Sequence, residues 1–393
     1  MGLEAYGKTH PPVRMLCMQQ NRAKNQDNCC QKDFCFHMYR KIFSSFNVLS
    51  SALVLIIIVM KTNPVNFQSK IGILILIIVI AISACNRQKQ TGHDPMIRFE
   101  RLVFTIPPAN LSDSIYLNHN NLVPFFKIFN EEVIRIGPDS LPGYAGQLEK
   151  FTRDSLIRSV YSEVDKSAGL YQESCREIYE ALERLTILTG EKSPDYLITF
   201  ISGFNQSFIT LPGCLGIGVD NYLGSESPFY PGLGIPVYIR KNMNPENLTA
   251  DAVRAWLYSE LPDPSADGGF LDRMIYEGKL YFITRKLLPK LSDENLFHYT
   301  EKQLRWCSDQ EKAMWKYLAE QKILFSTDRQ NIRKFIEEAP FTRDFGNDSP
   351  GRVGVWIGYR IISSYVKASG INLKDLIGLN SAKEILSGSK YHP

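Results

Sequence analysis

Three carboxylates and an arginine make up the stretch of this chain whose residue types and spacing suit acid–base chemistry. Glu260 ends a candidate helix that also carries Arg254 and Trp256, while Asp272 and Glu277 fall on the next one. Paired carboxylates act as acid and base, as in glycoside hydrolysis, when unlike surroundings drive their pKa values apart. Carboxylates on helices also occur as solvated faces or as partners of Arg254, Arg240 or Arg273, so a structural reading competes. Other catalytic signatures are missing from the sequence. It has no GxxxxGK[ST] phosphate loop, no GxSxG elbow and no GxGxxG behind a strand. Gly213, Gly216 and Gly218 are wrongly spaced for a nucleotide loop and are expected to relieve close packing between strands. Past residue 85 the histidines are His93, His119, His298 and His392, too scattered for an HExxH helix. His298 lies in a polar segment between helices and reads as a surface residue.

A different chemistry is legible at Cys85. It closes Ile82-Ser83-Ala84-Cys85 behind the apolar run Ile71 to Ile80. The pattern resembles the lipobox of bacterial lipoproteins. That resemblance implies a diacylglycerol thioether, cleavage before the cysteine, and a fatty acid such as palmitate on the new amino terminus. Several acyl chains, at about 0.8 kcal/mol per buried methylene, hold a protein on a membrane. A spanning helix ending at a chance cysteine is the rival, but Ile71 to Ala84 falls short of the ~20 apolar residues it needs. Met60 is the natural start of a signal peptide, with Lys61 and Lys70 as its basic region. Residues 60–84 are therefore read as signal peptide and 85–96 as a polar tether. Residues 1–59 carry Cys17, Cys29, Cys30 and Cys35 without paired CxxC spacing. They read as upstream sequence translated from a start codon set too early, with a cytoplasmic extension as the alternative. In either case they stay outside the fold argument.

Composition bounds the rest. Hydrophobic residues make up 44% and charged residues 22% of the 393, the balance of an ordinary globular protein. A formal net charge of +4, without a lysine or arginine block, points away from nucleic acid. Beyond Cys85 only Cys175, Cys214 and Cys307 remain, far apart and odd in number, which argues against a disulfide framework.

Periodicity gives a helix-dominant α+β class, with helices flanking a small antiparallel sheet. Ile97 to Ile106 alternates and reads as a strand. Leu122 to Ile136, Phe151 to Ser167 and Glu173 to Leu188 read as helices. Tyr196 to Ile201, Ser207 to Leu211 and Cys214 to Asp220 read as a meander, and Pro228 to Pro236 as a loop. Further helices are expected over Asp251 to Glu260, Phe270 to Leu288, Glu301 to Gln321, Asp328 to Glu338 and Pro350 to Ser369. Residues 97–393 are read as one globular domain.

Several strings carry a family resemblance together. They are Phe200-Ile201-Ser202-Gly203-Phe204-Asn205, Gly216-Ile217-Gly218-Val219-Asp220 with Tyr222-Leu223-Gly224, and Val253-Arg254-Ala255-Trp256 with Glu260 and Pro262. Met274-Ile275-Tyr276-Glu277-Gly278-Lys279, Ala339-Pro340-Phe341-Thr342 and Ser349-Pro350-Gly351-Arg352-Val353-Gly354-Val355-Trp356-Ile357-Gly358 complete the set. In this order they resemble the gliding-motility lipoprotein GldB family over nearly all of the mature chain. The resemblance implies an envelope lipoprotein tied to gliding and to machinery shared with type IX secretion. The family is also similar to zinc proteases of the gluzincin layout, which implies a degenerate form of that fold here. Arg254 and Tyr258 stand where the two histidine ligands would be, and Glu277 where the glutamate ligand would be. Arginine cannot ligate zinc, so the resemblance implies a scaffold with no metal or other cofactor. Glu277 would then be left as a helix cap or as a partner of Arg254.

The leading expectation is thus a non-catalytic lipoprotein assisting an envelope complex, on the periplasmic side of a membrane. Asn86 in place of the inner-membrane retention aspartate favours the outer membrane. The aromatic loop holding Tyr222, Phe229 and Tyr230 is the candidate partner contact, since aromatics concentrate at binding hot spots. The alternative is a hydrolase, metal-dependent or built on Glu260 and Glu277, which requires Glu260, Asp272 and Glu277 to share one cleft. A carbohydrate-binding lipoprotein, a third reading, requires exposed tyrosines in a flat platform.

Overall fold

The computed structural model describes residues 96–261, 263 and 268–393, together with the backbone of a short strand at 15–17. The rest of residues 1–59, the signal segment, Cys85 and the tether up to Pro95 lie outside the described residues.

Strands are few and short, and helices carry most of the chain. The sheet runs in the order β1-β4-β5-β3-β2. Its members are β1 (Met15–Cys17), β2 (Met96–Arg98), β3 (Tyr196–Phe200), β4 (Phe208–Leu211) and β5 (Cys214–Gly218). β3 pairs in parallel with β2 on one side and with β5 on the other, with Tyr196 opposite Cys214. Only β4 and β5, joined across Pro212-Gly213, are antiparallel. The sheet is therefore mixed, where the sequence suggested an antiparallel meander. The hairpin signal is local, but the chain leaving β3 passes beyond β5 before turning back, a placement no short-range pattern encodes.

Side chains alternate between two apolar layers, because successive residues on a strand face opposite ways. Ile198, Phe200 and Ile209 join Phe99, Phe125 and Phe129 on one face. Leu197, Leu215 and Ile217 meet Ile178, Leu182, Leu185, Leu248 and Trp256 on the other. The first layer is built by α1 (Phe99–Thr105) and the helices after it. The strand expected over Ile97 to Ile106 ends at Arg98. Phe99, Leu102, Val103 and Ile106 also recur at helical spacing, and Phe99 sets its ring edge-on to Phe125 and Phe129 at 5.1 and 5.0 Å. That packing favours the helix.

The second layer is built by α2 (Ala168–Thr189) and α3 (Pro245–Glu260). α3 starts with Pro at its first turn, where a missing N–H costs nothing. A further core belongs to α4 (Phe270–Leu287) and α6 (Val353–Ser369), with α5 (Asp293–Phe297) beside them. α4 and α6 cross where Gly278 faces Gly358. A Cβ on Gly358 would fall 2.0 Å from the Met274 carbonyl, and one on Gly278 would fall 2.1 Å from the Gly358 carbonyl carbon. The expected helix over Phe151 to Ser167 breaks at Asp154, which caps the next helix by accepting from Ile157 N. Glu301 to Gln321 likewise divides at Gln310. A one-turn helix, Phe229–Gly232, occupies the expected loop.

Candidate functional site

Nearly every side chain from Asn247 to Leu257 on α3 is buried, the charged ones included. Asp251 and Arg254, one turn apart, form an ion pair at 3% and 6% side-chain exposure. An unpaired buried charge is prohibitively costly, and the surroundings complete this pair. Asp251 Oδ2 accepts from the Tyr222 hydroxyl at 2.9 Å, and His298 Nε2 lies 3.0 Å from Asp251 Oδ1. Arg254 donates to the Leu296 carbonyl at 3.1 Å and stacks over the Tyr281 ring at 4.5 Å. Burial pushes the Asp251 carboxyl up, yet the neighbouring His298 and Arg254 charges and the hydrogen bonds to it hold it below its ordinary value.

A second buried pair adjoins the first. Arg352 takes a left-handed backbone conformation, φ 58°, just before α6. It donates to the Tyr281 hydroxyl at 2.5 Å and the Phe297 carbonyl at 2.6 Å, and its Nε meets Glu338 Oε2 at 2.6 Å. Glu338 Oε1 in turn accepts from Asn242 Nδ2 at 2.8 Å. Tyr281 therefore joins the two arginines, and the network ties α3 to α4, α5 and the start of α6.

Beside this network opens a polar cleft of about 600 Å³, lined among others by Tyr238, Asn242, Asn247, Asn295, His298 and Glu338. His298 follows α5 in a left-handed conformation, φ 57°. Its side chain is 2% exposed, and its Nδ1 has no hydrogen-bond partner. The expectation of a surface histidine is thus corrected, because the backbone turn at the end of α5 swings the ring inward onto Asp251.

The residues singled out from sequence fall in different places. Arg254 lies in the buried network and does not line the cleft. Asp272 accepts from Gly269 N at 2.9 Å and caps the start of α4. Glu277 pairs with Arg273 at 3.0 Å, on the preceding turn of its own helix, and not with Arg254. Glu260 is half-buried at the end of α3, and none of these three carboxylates lines the cleft. Tyr222 and Tyr230 are buried, Tyr230 completely, and the Tyr230 hydroxyl donates to the Asp220 carbonyl at 3.1 Å. Burial removes both from any contact surface. Phe229 is half-buried, packed on the same core.

Sequence reasoning missed Asp251, Tyr281, His298, Glu338 and Arg352. The readable signal was Asp251-x-x-Arg254 set among apolar residues on a helix without a polar face. The implied zinc site does not fit these side chains. Arg254 is charged and committed to Asp251, and Glu277 is committed to Arg273. Among the described residues, no three His, Cys, Asp or Glu side chains gather as metal ligands.

The chain belongs to the family of the gliding motility protein GldB, whose family model matches residues 87–393. It is accordingly a gliding-motility-associated lipoprotein. No curated protein and no solved structure matches it. Among the described residues no helix is long and apolar enough to cross a membrane.

Proposed function

We propose that this lipoprotein is held by lipid on Cys85 at the periplasmic face of the outer membrane and acts without catalysis. Its task on this reading is to assemble or stabilise an envelope complex serving gliding or the associated secretion. The observation that carries the reading is the fate of α3. Where a gluzincin-like enzyme would place its metal, this chain places Arg254, neutralised by Asp251 and stacked on Tyr281. Such a unit fixes helices against one another, and its guanidinium has no lone pair to offer a metal. The hydrolase alternative needs Glu260, Asp272 and Glu277 in one cleft, and their observed partners draw Asp272 and Glu277 into capping and ion pairing.

The test is purification of the tagged, lipidated protein from chemically crosslinked cells, with mass spectrometry of what accompanies it. Enrichment of motility or secretion components is expected. Recovery of the protein alone, together with hydrolysis of peptide or glycan that Glu277→Gln abolishes, would replace this reading with the enzyme.

A further inference from the structure

We propose that the cleft beside His298 binds an uncharged oligosaccharide, an assignment that does not depend on the assembly role. A volume of about 600 Å³ lies within the range of small-ligand sites. Most such sites are apolar, and this one sets amides and hydroxyls among prolines and charged groups. Its charges largely cancel: Glu338 is taken up by Arg352 at 2.6 Å and Asp348 by Lys302 at 3.2 Å. Lys241 is left against Glu246 and Glu294, no field to recruit phosphate or another anion.

What remains are groups that both donate and accept, the amides of Asn242, Asn247 and Asn295 and the phenol of Tyr238. Two of the amides are held in place from within. Asn242 Nδ2 donates to Glu338 at 2.8 Å and Asn247 Nδ2 to the Asn242 carbonyl at 2.9 Å, so their oxygens have a fixed direction. Sugar hydroxyls have the same double hydrogen-bonding character, and the C–H face of a sugar ring suits an aromatic such as the half-buried Tyr238. The wall also holds His298 Nδ1, a buried polar atom without a hydrogen-bond partner. Nε2 is engaged on its own side, 3.0 Å from the Asp251 carboxylate and 3.4 Å from Arg254 Nη2. Nδ1 is left for a ligand, and a hydroxyl, which both donates and accepts, is its complement.

The test uses the full chain purified in detergent, with saturation-transfer NMR and calorimetry. The probes are the N-acetylglucosamine tetramer, maltotetraose and, as a peptide, tetra-alanine. At least one sugar is expected to bind saturably. Tyr238→Ala, Asn295→Ala and His298→Gln should each weaken it about tenfold. Tyr238 and Asn295 are half-buried, so an unchanged thermal midpoint in those two variants separates lost binding from lost folding. The proposal is overturned if neither sugar binds, or if the Tyr238 and Asn295 variants leave the affinity unchanged. Tetra-alanine binding with the same sensitivity to the variants, and tighter than either sugar, would overturn it in favour of a peptide ligand.

Discussion

Asp251 serves three donors at once, so its loss falls on all of them. Asp251→Asn keeps the shape but leaves Arg254 charged and unpaired at 6% exposure. We expect a loss of about 3–5 kcal/mol, read from urea unfolding at pH 7. Arg254→Met paired with Asp251→Leu should recover much of it, because apolar replacement of a whole buried pair is often neutral. The pH dependence has a definite sign. Asp251 titrates below its ordinary value in the folded protein. Its stabilisation is therefore present above about pH 4 and is lost as pH falls through the folded value. Unfolding midpoints from pH 7 down to pH 2 should show this loss, and Asp251→Asn should flatten that part of the profile.

At the scale of elements, the α4–α6 crossing sets how the C-terminal helices meet. Gly278 and Gly358 let two backbones touch, and the atoms a methyl group would strike are backbone atoms that cannot swing aside. Gly358→Ala should cost about 1–3 kcal/mol by overpacking, measured by thermal unfolding. A change below 0.5 kcal/mol would mean that the helices slide apart freely. α4 is also tied to the segment after α6 by Lys279, whose Nζ donates to the Leu379 carbonyl at 2.6 Å and reaches the Ile377 carbonyl at 3.5 Å. Burial pushes this amine down to about 8 from 10.5. Between those values the unfolded chain holds more protons than the folded one, so stability should rise with pH across that window. Lys279→Met should remove the rise.

At the scale of the whole molecule the expectation concerns attachment. If Cys85 carries the lipid, Cys85→Ser moves the protein from the membrane fraction to the soluble fraction. Carbonate extraction followed by immunoblotting reads this, and unchanged retention would sink the anchor. Much of the architecture was legible in advance. The long helices, the strand-rich stretch between Tyr196 and Asp220, and the ordered strings that carry the family resemblance all rest on local periodicity or on motif order. The site was less legible. Glu260, Asp272 and Glu277 were plausible by residue type, but their partners are Gly269 N for Asp272 and Arg273 for Glu277. Those are local structural contacts that composition could not rank against chemistry.

The sequence by itself determined most of the long helical segments, that the sheet is small, and that the chain is a GldB-family lipoprotein. These follow from interactions between residues close in the chain, whose spacing is written in the order of side chains. Tertiary structure alone decided that β3 lies parallel to β5. It also turned His298 inward and brought Asp251, Arg254, Tyr281, Glu338 and Arg352 into one network. Those residues are drawn from α3, α4 and the segment leading to α6. Whether a charge is buried and which partner neutralises it depend on how distant helices pack, and burial is the property that turns an ordinary ion pair into a structural necessity.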